Sequence, residues 1–177
     1  MIFDAADQKN DLVFLPTQRR TSAGERFDTQ DDEWDLSSNG GKRRRFIFSA
    51  YREVASNALI ESWKSVAAEL AANASVAHAA KCSDRFKRLI DFIAGRRDQV
   101  SEIDASDVSQ YLEDSETKDS QGRLRTFLRM WGDLGLPGVS KDAIDYVEKF
   151  SFGSSNKKSY PLIHEKKHRV SEAPEEA

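Results

Sequence analysis

The spacing of apolar residues between residues 76 and 150 constrains the fold most strongly. Three or four short segments in this region place apolar and aromatic side chains at intervals of three and four, which puts them on one face of an α-helix. Arginines and lysines stand beside each apolar face. The pattern predicts a bundle of short amphipathic helices that displays cations at its surface.

A further amphipathic segment precedes this region, so that five helices are predicted in all. Their approximate bounds are residues 51–72, 76–94, 104–113, 120–134 and 140–150. Ser75 and Ser140 are expected as amino-terminal caps, and either Asp104 or Ser106 caps the third helix. Gly95 is expected to end the second helix.

These segments predict an all-α fold, a small four- to five-helix bundle preceded by an extended amino-terminal segment. Residues 1–49 are rich in Asp, Gln, Ser, Thr and Gly, which favours an extended or partly disordered segment. Residues 50–152 hold the helical domain, and the Lys- and Glu-rich residues 153–177 are interpreted as a linker. Apolar residues such as Trp34 leave open whether the amino-terminal segment docks on a neighbouring surface.

Composition narrows the function classes. The formal net charge is −3, so no bulk positive field draws the whole molecule to a polyanion, and an electrostatic partner must meet local patches. There is no cysteine cluster for zinc, no Gly-rich phosphate loop, no signal peptide and no apolar run of about 20 residues. The sequence therefore predicts a soluble cytoplasmic protein with no cofactor, no metal site and no membrane contact.

The second predicted helix carries the most informative charges. Lys81, Arg85 and Arg88 fall on one stripe of this helix, away from its apolar face. Asp84 and Asp91 are predicted to lie off the stripe, which leaves an uncompensated row of cations suited to a phosphate backbone. A solvated helix face is the alternative interpretation of the same pattern.

Cations in two other segments extend the DNA-binding hypothesis. Arg125 and Arg129 are one turn apart on the side of the fourth helix opposite its apolar face. Four consecutive cations at residues 42–45 either contact phosphates or belong to a solvated linker. The candidate DNA-binding residues are Lys81, Arg85, Lys87, Arg88, Arg123, Arg125 and Arg129.

Three segments carry a resemblance to a known family. They read FKRLIDFI at residues 86–93, IDASDVSQYL at residues 103–112 and GRLRTFLRMW at residues 122–131. Their order and apolar pattern resemble the core-binding (SAM-like) domain of tyrosine recombinases, the phage-type integrases. The resemblance covers about residues 50–150. It implies a helical jaw that clamps duplex DNA, mainly through phosphates, opposite a separate catalytic domain.

Family members cut and rejoin DNA with a tyrosine nucleophile that is assisted by arginines, a lysine and a His-x-x-Arg element. None of His78, His164 and His168 is followed three residues later by arginine, and Tyr111 and Tyr146 occupy core-like helical positions. We therefore predict that this chain alone has no catalytic residue and no enzymatic activity. It is interpreted as a fragment of a recombinase whose catalytic domain is absent.

Duplex DNA is the predicted partner, with self-association on DNA as an additional option and no small-molecule substrate. The alternative is a helical protein-interaction module with solvated arginines, in which exposed aromatic residues such as Trp34 or Phe152 dock on another protein. The two hypotheses differ in salt dependence, because apolar docking survives an ionic strength that removes phosphate contacts.

Overall fold

The computed structural model describes residues 17–38, 41–114 and 118–150, with only the backbone given for residues 118–120. Two β-hairpins are followed by five helices, and a 3-10 turn at Ser49–Tyr51 connects the two parts. The strands are β1 (Gln18–Arg20), β2 (Arg26–Asp28), β3 (Glu33–Ser37) and β4 (Arg43–Ile47). The helices are α1 (Asn57–Asn73), α2 (Val76–Ala94), α3 (Ala105–Asp114), α4 (Lys118–Asp133) and α5 (Lys141–Lys149).

The prediction of an all-α fold is wrong, because residues 18–47 form two antiparallel two-stranded sheets, β1–β2 and β3–β4. In the second hairpin Trp34 lies opposite Phe46, and both rings face inward while Asp35 and Arg45 face solvent. This alternation extends over only five residues in each strand. An alternation this short does not stand out in a segment of polar composition, and the sequence therefore did not predict strands here.

The five predicted helices are confirmed; their bounds agree within two residues except in the first, which begins at Asn57 rather than near residue 51. The hydroxyl of Ser75 accepts a hydrogen bond from the His78 N–H at 3.0 Å, and Ser140 caps α5 in the same way. Of the two candidate caps for α3, the structure has Asp104, whose carboxylate accepts from the Asp107 N–H at 2.9 Å. These caps satisfy backbone donors that have no partner inside their helices.

An unbroken line of aromatic rings joins the hairpins to the helices. Trp34 contacts Phe48 at a centroid distance of 4.8 Å, and Phe48 contacts Trp63 of α1 at 5.2 Å. Trp63 continues to Phe86 of α2 at 5.4 Å, and Phe86 meets Trp131 of α4 at 4.9 Å. The hairpins and the helices therefore share one core, in which Trp34 is only 3% exposed.

Several sequence predictions fall outside the described residues. Residues 1–16, Phe152 and the proposed linker at 153–177 are among them. Among the helices that are described, none combines the length and the apolar content that a bilayer crossing needs. The division of the chain at residues 49 and 152 stays a prediction.

Candidate nucleic-acid interface

Lys81, Arg85 and Arg88 lie along one edge of α2, and we refer to them as the α2 cation row. At about 100° per residue the three side chains fall within about 60° of one another around the helix. Lys81 and Arg88 are exposed, whereas Arg85 is half-buried. The buried face of the same helix, centred on Phe86, anchors the row to the core.

The expected separation of acidic residues from this row is only half right. Asp84 stands one turn before Arg88, and its Oδ2 lies 3.4 Å from Arg88 Nε. Because both side chains are about half exposed, the pair is screened by solvent and weak. Asp91 does lie apart from the row, where its Oδ1 accepts a hydrogen bond from the Tyr51 hydroxyl at 2.9 Å.

Arg85 has the most distinctive environment of the predicted residues. Its Nε is buried and has no hydrogen-bond partner in the described part of the chain. Arg85 and Arg88 lie near the Tyr111 phenol, whose pKa is raised by burial while the two arginines oppose that rise. A buried donor without an acceptor carries a desolvation cost that an oxygen of a bound ligand would remove.

Arg129 is engaged inside the fold. Its guanidinium makes a two-point ion pair with Glu148 of α5, with Nε 2.6 Å from Oε1 and Nη2 2.9 Å from Oε2. This pair raises the pKa of Arg129, and together with the charge of Arg125 it lowers the pKa of Glu148. The pair links α4 to α5, so Arg129 can bind a phosphate only if its ion pair with Glu148 breaks.

Arg123 projects from a different side of α4 than Arg125 and Arg129, more than 100° away around the helix by residue spacing (about 100° per residue). It lies close to the buried thiol of Cys82, whose pKa burial raises to about 11 while Arg123 acts in the opposite direction. The structure therefore groups Lys81, Arg85 and Arg88 on one edge of α2, whereas Arg123 lies near Cys82 of the same helix and Arg129 pairs with Glu148.

Lys87 faces away from the row, toward β4. It lines a cleft between β4 and α2 together with Arg45, Asp84 and Trp63. Three residues of the basic run, 43–45, are thus strand rather than solvated linker, and Arg43 and Arg45 pair across the hairpin with Asp35 and Glu33. Sequence reasoning missed this cleft because the hairpin that forms one of its walls was not predicted.

The positions of the tyrosines agree with a packing role. Tyr111 and Tyr146 are half-buried against the core, as predicted, and Tyr146 stacks on Phe150 at 5.5 Å. Burial also raises the pKa of Tyr51, to which its hydrogen bond with Asp91 adds. Across the described ranges, no group of three His, Cys, Asp or Glu side chains is arranged to hold a metal ion.

The chain matches no protein-family model, no curated protein and no solved structure. The resemblance to tyrosine recombinases therefore stays a prediction, carried by the three segments in α2, α3 and α4.

Proposed function

We propose that this chain is a DNA-binding module in which the α2 cation row holds the phosphates of a duplex. The observation that carries the proposal is Arg85, a half-buried guanidinium with an unpartnered Nε between Lys81 and Arg88. Only one carboxylate, that of Asp84, forms an ion pair with the row among the described residues. An anion with several oxygens is the ligand that suits this arrangement.

The dimensions of the row suit a DNA strand. Seven residues of α-helix advance by about 10 Å, and phosphates of one strand follow one another by about 3.4 Å along the duplex axis. The row therefore matches about three phosphates. Neutralising three phosphates predicts that affinity falls about 40-fold between about 50 and 200 mM salt.

The biological role we propose is the one that the family resemblance implies. The module forms one jaw of a site-specific recombinase of the integrase type and acts in the cytoplasm during DNA integration or recombination. It contributes DNA-binding affinity rather than catalysis, and another domain supplies the nucleophile. With a net charge of −3 and one jaw only, the isolated chain should bind weakly.

The alternative role in protein docking loses one of its two candidate residues. Trp34 is buried between Phe27, Phe46 and Phe48, and the other candidate, Phe152, lies outside the described residues. An interaction through Trp34 would require the hairpin core to open. We therefore favour the DNA-binding role.

The test is fluorescence anisotropy with a labelled duplex of about 30 base pairs at two salt concentrations. The variant R85E/R88E reverses two charges of the row and should abolish binding. The matched control is R20E/R26E, because Arg20 and Arg26 are exposed, make no ion pair with another described residue, and give the same change in net charge. Circular dichroism verifies the helix content of each variant.

Loss of binding in the row variant together with retention in the control supports the proposal. Equal effects of the two variants would show that only net charge matters, which contradicts a localised site. Binding that persists in R85E/R88E, or a wild-type chain that fails to bind at low salt, would reject the α2 cation row as a DNA site.

A further inference from the structure

The outer edge of β4 has no strand beside it in the described chain. In the β3–β4 hairpin the Phe48 N–H donates to the Asp32 carbonyl at 2.8 Å, and the register places Phe46 opposite Trp34. Because pairing groups alternate along an antiparallel strand, the backbone groups of Arg45 and Ile47 point away from β3. No described residue pairs with them, so this edge offers a free ladder of donors and acceptors.

A cleft of about 110 Å³ runs beside this edge, between β4 and α2. Phe46, Phe48 and Trp63 lie at its inner end with little exposed surface, and the α2 side contributes Ala80 and Ser83. The cleft has room for one aliphatic side chain next to the free edge.

Ile47 marks the rim of the cleft. At 40% exposure it is the one large apolar side chain in the described part of the chain that is exposed. Such a residue beside an unpaired edge adds apolar contact area for a bound segment.

The charges around the cleft favour an acidic segment. Arg45 and Lys87 stand on opposite sides of it, one on the strand and one on the helix, and both are exposed. Arg45 Nη2 is 3.4 Å from Glu33 in a pair whose side chains are more than half exposed. Asp84 also lines the cleft, but its carboxylate pairs with Arg88 on the other side.

We propose that this cleft binds an extended segment of a partner protein in which small apolar residues alternate with Asp or Glu. The segment adds to β4 as a third strand, so that the backbone groups of Arg45 and Ile47 gain partners. Alternate side chains point to opposite faces of a strand. One side chain of the apolar set enters the cleft, and the acidic set lies within reach of Arg45 and Lys87.

A second copy of this chain is a poor occupant of the edge. Antiparallel pairing of β4 with itself in the registers centred on Arg44 or Arg45 would set arginines directly opposite each other, and such like-charge pairs are destabilising. DNA is also a poor occupant, because a phosphate backbone cannot continue a ladder of amide hydrogen bonds. An acidic peptide supplies hydrogen-bond partners for the β4 edge and negative charges for Arg45 and Lys87.

The experiment begins with selection of a displayed library of random eight-residue peptides against the whole chain. We expect enrichment of sequences in which apolar and acidic residues alternate. The enriched peptide, made with a fluorescent label, should bind the wild-type chain and lose at least tenfold in affinity to the K87E variant. K81E is the matched control, since it makes the same charge change on the same helix but in the α2 cation row, and it should bind the peptide as the wild type does.

Backbone pairing is tested separately by methylating alternate peptide nitrogens. One of the two alternately methylated peptides should lose binding, because its methyl groups replace the N–H donors that face β4, whereas the other should retain it. Equal affinity of both methylated peptides would overturn the strand-addition geometry.

Three other outcomes would also overturn the proposal: no enriched sequence, equal loss in K87E and K81E, or weaker duplex binding in K87E. The last result would make the cleft part of the DNA surface. The inference is independent of the proposed DNA role, because Lys87 and the α2 cation row lie on different sides of α2.

Discussion

Arg52 and Asp32 form a two-point ion pair, in which Nε lies 3.0 Å from Oδ2 and Nη2 lies 2.5 Å from Oδ1. The same carboxylate accepts a hydrogen bond from Lys64 Nζ at 2.7 Å, and the Lys64 side chain is 1% exposed. Asp32 precedes β3, Arg52 follows the hairpins, and Lys64 belongs to α1. One carboxylate thus bonds the hairpin half to the helical half.

Replacement of Asp32 by asparagine should destabilise the fold by about 2 to 3 kcal/mol, since it removes the charge that compensates a buried lysine. Lys64 would then face a neutral amide in place of the Asp32 carboxylate, with the Gln30 carbonyl at 3.3 Å, the Glu61 carboxylate at 3.7 Å and the Phe48 ring as its other neighbours. Urea unfolding followed by tryptophan fluorescence measures the change in the free energy of unfolding.

The control for this substitution is Asp35→Asn, which breaks the pair with Arg43 at 2.9 Å. Both side chains of that pair are more than half exposed, so water replaces the lost contact. A similar loss of stability in D32N and D35N would show that burial of Lys64 does not decide the result.

The pKa of Asp32 predicts how stability depends on pH. Hydrogen bonds from Arg52 and Lys64 hold the pKa of this carboxyl well below its usual range in the folded chain, whereas the unfolded value is about 3.9. The folded state therefore binds fewer protons, and the stabilisation is complete above about pH 5 and declines progressively as the pH falls below about 4 toward the folded-state pKa. The difference between wild type and D32N should shrink between about pH 7 and pH 3 in urea titrations. A constant difference would contradict the assignment.

Two glycines should respond in opposite directions to replacement by alanine. Gly138 has φ +105°, and a Cβ there would lie 2.7 Å from the Leu59 Cδ1 atom, so G138A should lose about 2 kcal/mol. Gly122 lies inside α4 with open space around its Cα, and G122A should gain about 0.5 to 1 kcal/mol. Thermal melts of both variants distinguish the two effects, and a stable G138A would contradict the described turn.

The thiol of Cys82 should react slowly while the chain is folded. The side chain is fully buried, and burial raises its pKa to about 11, so little thiolate is present near neutral pH. We expect modification by a disulfide reagent to be at least about 100-fold slower than in the denatured chain. Rates that match those of the denatured chain would contradict the burial of Cys82.

Single substitutions in the α2 cation row should lower the salt dependence of DNA binding. If Lys81 and Arg85 each neutralise one phosphate, K81A and R85A should each reduce the slope of log affinity against log salt by about 1. R125A provides a comparison from outside the row and should leave the slope unchanged. A slope that is unchanged in all three variants would mean that the row does not contact phosphates.

The sequence by itself determined the helices. Their apolar faces and the caps at Ser75 and Ser140 depend on residues three or four positions apart, and such local relationships can be read from one chain. The common edge of Lys81, Arg85 and Arg88 follows from the same geometry. The prediction of five helices and the grouping of these cations therefore needed no tertiary contacts.

Only the tertiary structure decided the hairpins and the surroundings of each charge. The pairing of Trp34 with Phe46 and their burial near Trp63 join residues far apart in sequence, where a five-residue alternation carries little signal. The packing of separate elements likewise decides that Arg129 pairs with Glu148 and that Lys87 faces β4. Helical periodicity assigns a residue to a side of its own helix, whereas the partner on that side is set by the rest of the fold.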